Sequence, residues 1–132
     1  MAKTACKILG VILILVGIIG LFVHTLLGMH LTPAHNILHL VTGALALYFG
    51  FTGTSEATHM FCRVIGVIYL LVGILGFIAP GVVERMLQIH TMTESVNLIP
   101  DNIVHLLVGA IFSIVGFLRE THPVRPIAPK AS

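Results

Sequence analysis

The sequence predicts an all-α integral membrane protein, a four-helix bundle made of two parallel repeats of a two-helix hairpin. Three observations predict it. Hydrophobic residues make up 57% of the 132 residues and charged residues 9%, whereas an ordinary soluble domain is about 25% charged. Four apolar stretches are each long enough to cross a bilayer, for which a helix needs about 20 residues, with a lower limit near 17. The last two stretches also repeat the first two.

The first span runs from about Lys7 to Leu27 and the second from Ala34 to Phe51. The third covers Phe61 to Ile78 and the fourth Asn102 to Leu118. In hydrocarbon the backbone must satisfy its own hydrogen bonds, so each span reads as a helix. Lys3 and Lys7 give the first span the look of a signal-peptide n-region. Its apolar run is too long for an h-region and no small-residue cleavage site follows, so it reads as retained. The domain therefore covers residues 1–118, with a Pro-rich cytoplasmic tail over 119–132.

The boundaries carry their own signals. Thr32-Pro33 is an N-cap followed by proline at the first helical position. Asp101, after Pro100, reads as the corresponding cap of the fourth span, and Pro80-Gly81 stops the third. Beyond that stop, Val82, Val83, Met86 and Leu87 fall on one side of a short interfacial helix. Six of the seven Lys and Arg residues (Lys3, Lys7, Arg63, Arg119, Arg125 and Lys130) fall at the termini or in the middle loop, and Arg85 alone lies opposite. Positive charge favours the cytoplasm, which places both termini there.

The repeat spans residues 6–52 and 62–118. CKILGVILILVGIIG from Cys6 matches CRVIGVIYLLVGILG from Cys62 at nine of fifteen positions. NILHLVTGALALYFG from Asn36 matches NIVHLLVGAIFSIVG from Asn102 at seven of fifteen. Gly10, Gly17 and Gly20 recur as Gly66, Gly73 and Gly76, and Gly43 and Gly50 recur as Gly109 and Gly116. Spacings of three and seven hold them on one helical stripe, where small residues let transmembrane backbones approach. Asn36 and His39 share the stripe of Gly43, and Asn102 and His105 share that of Gly109.

What could this polar pair do? Ionisable residues inside a bilayer are rare and need partners. As a structural clasp, Asn36, His39, Asn102 and His105 would hydrogen-bond across helices near the pseudo-two-fold axis. As a metal site, His35 and His39 at i, i+4 on one helix would join Asp101 and His105 at i, i+4 on another. Three imidazoles and a carboxylate suit zinc or copper. Paired axial histidines for haem, or a quinone site between the second and fourth spans, form a further alternative. No cofactor is required by the sequence, and a divalent metal is the one its donor set would suit. His24, His30 and His90 also fall in the outer half, and His59 and His122 in the cytoplasmic half.

Other functions are excluded or disfavoured. A net charge of +2 with no basic run argues against nucleic acid. There is no nucleophile–base constellation and no phosphate loop, so an enzyme is not expected. Cys6 and Cys62 lack CxxC spacing and fall on a reducing side, where they read as small core residues. Glu84, Arg85 and Glu94 read as solvated charges of the outer loop.

The duplicated NxxHLxxGA motif, with a glycine-rich helix before each copy, resembles a family of small bacterial four-helix membrane proteins catalogued as a domain of unknown function. Asn36, His39, Gly43, Asn102, His105 and Gly109 carry the resemblance, over roughly residues 6 to 118. It implies a bacterial inner membrane and four helices, with no established activity. His35 is not part of the motif. The expectation is a non-enzymatic accessory or interaction protein whose partners are the lipid bilayer and another membrane protein or a second copy of itself. Metal binding is the first alternative.

Overall fold

The computed structural model describes residues 1–89 and 97–118. The tail over 119–132, with Arg119, His122, Arg125 and Lys130, and the outer-loop residues His90 and Glu94 lie outside the described residues. The chain is mostly helical: α1 (Ala2–Ile19), β1 (Thr25–Leu26), β2 (Met29–His30), α2 (Pro33–Thr52), α3 (Ser55–Ile78), α4 (Pro80–Met86) and α5 (Ile99–Phe117). Four of the helices, α1, α2, α3 and α5, are long and apolar enough to cross a membrane.

Each long helix pairs antiparallel with one partner, α1 with α2 and α3 with α5. The contacts correspond position by position. A Cβ on Gly10 would lie 2.9 Å from the Leu47 side chain and 3.0 Å from the Gly43 carbonyl. In the other pair, Gly66 faces Ser113 and the Gly66 carbonyl lies 3.0 Å from a Cβ on Gly109. Lys7 lays its ammonium 4.6 Å above the Phe51 ring, and Arg63 holds its guanidinium 5.4 Å from the Phe117 ring. Their long stems cover apolar surface while the charges reach outward. The thiols of Cys6 and Cys62 are both free and buried, and their Sγ atoms stand 3.2 Å apart where α1 meets α3.

Burial is inverted relative to a soluble bundle. Outward faces carry Ile8, Leu15, Val41, Leu71, Leu107 and Ile114, all exposed. The buried set instead includes His35, Asn36, His39, Thr42, Asp101, Asn102 and His105. An apolar core fills the Cys6 end, with Phe61 and Phe112 edge to face, and a second apolar cluster gathers Val83, Leu87, Ile89 and Leu98.

Several boundaries differ from those expected. The first helix starts at Ala2 and ends at Ile19, and the residues after Gly20 leave the helix to form the short β1–β2 pair. Continuous apolar sequence hid that break, because Phe22 and Leu27 are exposed loop residues. Leu27 (φ 53°) and Gly28 (φ 84°) supply the two left-handed residues of a tight two-residue hairpin turn. The third helix begins earlier, at Ser55, with the Thr54 side chain accepting from the Ala57 amide. Asp101 is not a cap: α5 begins at Ile99, and Asp101 sits within its first turn. In α4 only Val83 faces inward, joined by Leu87 just beyond the helix, while Val82 and Met86 are exposed. Thr32 caps α2 as expected, accepting from the His35 amide at 3.2 Å, and its hydroxyl also donates to the Leu87 carbonyl.

The tightest approaches are at Gly20 and Gly76. A Cβ on either would collide with the carboxamide of Asn36 or Asn102, respectively. Asn36 cannot swing aside, since its Nδ2 donates to the Leu31 carbonyl at 3.2 Å and the residue is buried. Gly20→Ala and Gly76→Ala should therefore each destabilise the detergent-solubilised protein by roughly 1–3 kcal/mol, the usual cost of overpacking. Gly81→Ala, with nothing within 4 Å, should leave the unfolding midpoint unchanged in the same thermal assay. Equal midpoints for all three variants would refute the packing argument.

Candidate functional site

The β1–β2 hairpin brings the site together. Thr25 pairs with His30 and Leu26 with Met29, and Gly28 at the turn lies against Pro100 of α5. This hands His30 to Asp101. The His30 amide donates to Asp101 Oδ1 at 2.9 Å, and its ring Nδ1–H donates to Oδ2 at 2.9 Å. A buried carboxylate accepts both bonds, and its position in the first turn of α5 suits the helix dipole.

Two backbone carbonyls beside this lock orient two imidazoles. His35 Nδ1 donates to the His30 carbonyl at 2.7 Å, and His105 Nδ1 donates to the Asp101 carbonyl at 2.6 Å. A neutral imidazole that donates from Nδ1 keeps its lone pair on Nε2. His35 Nε2 is buried with no hydrogen-bond partner among the described residues, and so is His39 Nδ1. The rings converge: His35 stands 4.3 Å from His39 and 5.3 Å from His105, centroid to centroid. Their candidate ligand nitrogens all lie within 4.8 Å of one another.

That arrangement is close to what an ion needs. Tetrahedral zinc with imidazole nitrogens at about 2.05 Å sets them about 3.3 Å apart, so the rings would close by at most about 1.5 Å. A void of about 40 Å³ lies against all three histidines on the α1–α5 side, walled by Leu13, Val16, Val104 and Val108. That is room for an ion or a water. On the other side, between α2 and α3, a cleft of about 250 Å³ reaches the same three rings and Tyr69.

Comparisons with protein-family models, curated proteins and solved structures give no match. The site is therefore read from its own chemistry.

Of the four residues that the sequence suggested as metal ligands, the structure brings together His35, His39 and His105. Asp101 is adjacent, with Oδ1 4.0 Å from His35 Nδ1, but both its oxygens are engaged by His30. Asn36 and Asn102 lie elsewhere, each against the glycine of its own helix pair. No hydrogen bond joins an asparagine to a histidine among the described residues. His30 and Tyr69 were missed as members of the site. His30 had a faint signal, five residues before His35, but its partner is 71 residues away. Tyr69, whose ring centroid lies 5.5 Å from that of His105, reads from sequence as one more apolar position.

His35 and Asp101 occupy corresponding positions, 66 residues apart in the aligned stretches. Where one copy has an imidazole, the other has the carboxylate that locks the hairpin. Asp101→Asn keeps the backbone carbonyl that holds His105 but removes the charge that holds His30. A hydrogen bond to a charged group contributes about 1.5–3 kcal/mol, so the His30 amide should exchange with solvent deuterium at least about tenfold faster in that variant. An unchanged exchange rate would remove Asp101 from its role as the hairpin's anchor.

Proposed function

We propose that this chain is an integral membrane protein that binds a transition-metal ion, zinc or copper, at a three-histidine centre between two parallel copies of one helical hairpin. One observation carries the metal reading. Three buried imidazoles converge, and backbone carbonyls fix the tautomers of two so that their Nε2 lone pairs are left for an ion. Metal-bound histidines commonly donate their second nitrogen to a carbonyl or carboxylate in this way. Among the described residues no thiol or free carboxylate approaches, so an ion would keep an open position.

The membrane setting is supported by the four long apolar helices and the apolar outer faces, which in water would form a large aggregation-prone surface. The bacterial inner membrane follows only from the sequence resemblance. Two parallel hairpins are supported by the matched contacts at Gly10 and Gly66, Gly20 and Gly76, and Lys7 and Arg63. For orientation, Lys3, Lys7 and Arg63 gather near Gly50 and Gly116, away from the histidine centre. The positive-inside bias puts that end in the cytoplasm. Reporters fused at either terminus should both read cytoplasmic, and an external signal from both would invert the orientation.

A second reading keeps the histidines as a metal-free polar clasp in a non-enzymatic accessory or interaction protein. It is favoured by the near-parallel stacking of His35 on His105, at an interplanar angle of 16°, which joins α2 to α5 without an ion. Haem fits less well, since His35 fills the space that a macrocycle between His39 and His105 would need.

Elemental analysis separates the two readings, on protein purified without a polyhistidine tag and then incubated with zinc or copper. The metal reading expects about one ion per chain, lost in His39→Ala while the variant stays monodisperse. Asp101→Asn should weaken affinity roughly 10–100-fold, as second-shell changes do. A metal-free wild type whose His39→Ala variant melts earlier would establish the clasp instead.

A further inference from the structure

The cleft between α2 and α3 is built unlike the rest of the surface. Its walls are apolar, with Leu38, Val41, Leu45 and Ile68 facing outward at 43–52% exposure. Its floor is polar: His39, His35, His105 and Tyr69, together with Thr42. Leu87, tied to Thr32 of the α2 cap, helps line the same cleft.

We propose that this cleft admits a quinone-type ring from the bilayer and presents its oxygen to the histidine centre. The inference rests on the metal reading for the ion whose open position the oxygen would fill.

Chemistry selects that occupant. An acyl chain would leave a buried polar group on the floor unpaired, which is unfavourable in an apolar setting. His39 Nδ1 is such a group, on a residue at least nine-tenths buried and without a hydrogen-bond partner among the described residues, and as Nδ1–H it is a donor with nothing to donate to. A charged headgroup would have to pass the apolar walls. A neutral ring bearing carbonyl oxygens meets both demands, stacking on aliphatic walls while accepting hydrogen bonds at its end. The volume agrees: about 250 Å³ sits just below the usual range for small-molecule pockets, roughly 300–1,000 Å³. That accommodates one substituted six-membered ring and leaves an isoprenoid tail in lipid. The route in is lateral, because the two helix pairs meet each other far more loosely than helices meet within a pair.

The test uses the full chain in nanodiscs, with duroquinone as probe and equilibrium dialysis as readout, alongside zinc stoichiometry. Leu45→Trp and, separately, Ile68→Trp would fill the mouth from lipid-facing positions that tolerate a larger side chain. Wild type should bind duroquinone saturably. Both tryptophan variants should bind at least about tenfold more weakly, a change of about 1.4 kcal/mol, while holding the same zinc. Tyr69→Phe should weaken binding without changing the zinc content. Saturable binding blocked by tryptophan in a protein that takes up no zinc would support the cleft's occupant and remove the ion. Zinc uptake without saturable duroquinone binding, or binding indifferent to both plugs, would overturn the inference and leave the metal reading standing.

Discussion

A single buried carboxylate sets the geometry of the polar interior. Asp101 is almost entirely shielded from solvent, and an ionised side chain there is tolerable only with strong partners. His30 supplies two, its amide and its ring, at 2.9 Å each. To do so it must stand at the end of a short β-hairpin folded over the start of α5. That same placement aims the His30 carbonyl at His35, while the first turn of α5 aims the Asp101 carbonyl at His105. The loop conformation and the His35 tautomer are therefore consequences of one pairing between residues 71 positions apart.

The helix pairs solve a different problem. In the proposed membrane setting, helices that present apolar residues outward could not rely on expelling water to associate, so close packing and polar contacts would do the work. Gly20 and Gly76 permit approaches in which an asparagine carboxamide rests directly on backbone. The carboxamide oxygen meets a surface of weakly polarised Cα–H groups instead of a stronger donor. Asparagine thus serves contacts inside each pair and histidine serves contacts between pairs, although the two lie three residues apart on one helix. Dense packing within pairs leaves the looser seam to hold the void and the cleft.

Much of this was legible in the sequence. Apolar length gave the four long helices, and the aligned glycines announced which faces would touch. Thr32-Pro33 marked the start of α2. The end of α1 was not legible, because Leu21, Phe22 and Val23 continue the apolar run after the helix has stopped. The i, i+4 spacing brought out His35 and His39, and the repeat brought out His105. Asp101 was visible as a polar residue at a helix start, a position where a cap is the simplest local explanation. Its real partner lies in another part of the chain, and no local pattern encodes that distance. Tyr69 illustrates the same limit, since an aromatic ring on an apolar helix has no sequence mark for what it faces.

The correspondence of His35 with Asp101 has a consequence for how such a centre could arise. Two identical hairpins related by a true two-fold axis must present matching residues in matching places. Such an assembly offers either two imidazoles or two carboxylates at this position, never one of each. Two buried carboxylates would repel, and two imidazoles would leave the hairpin of His30 without an anchor. Joining both copies in one chain lifts that restriction, because each half can then change alone. On the proposed reading of two joined hairpins, the asymmetry at one aligned position is thus something a homodimer of single hairpins could not have encoded.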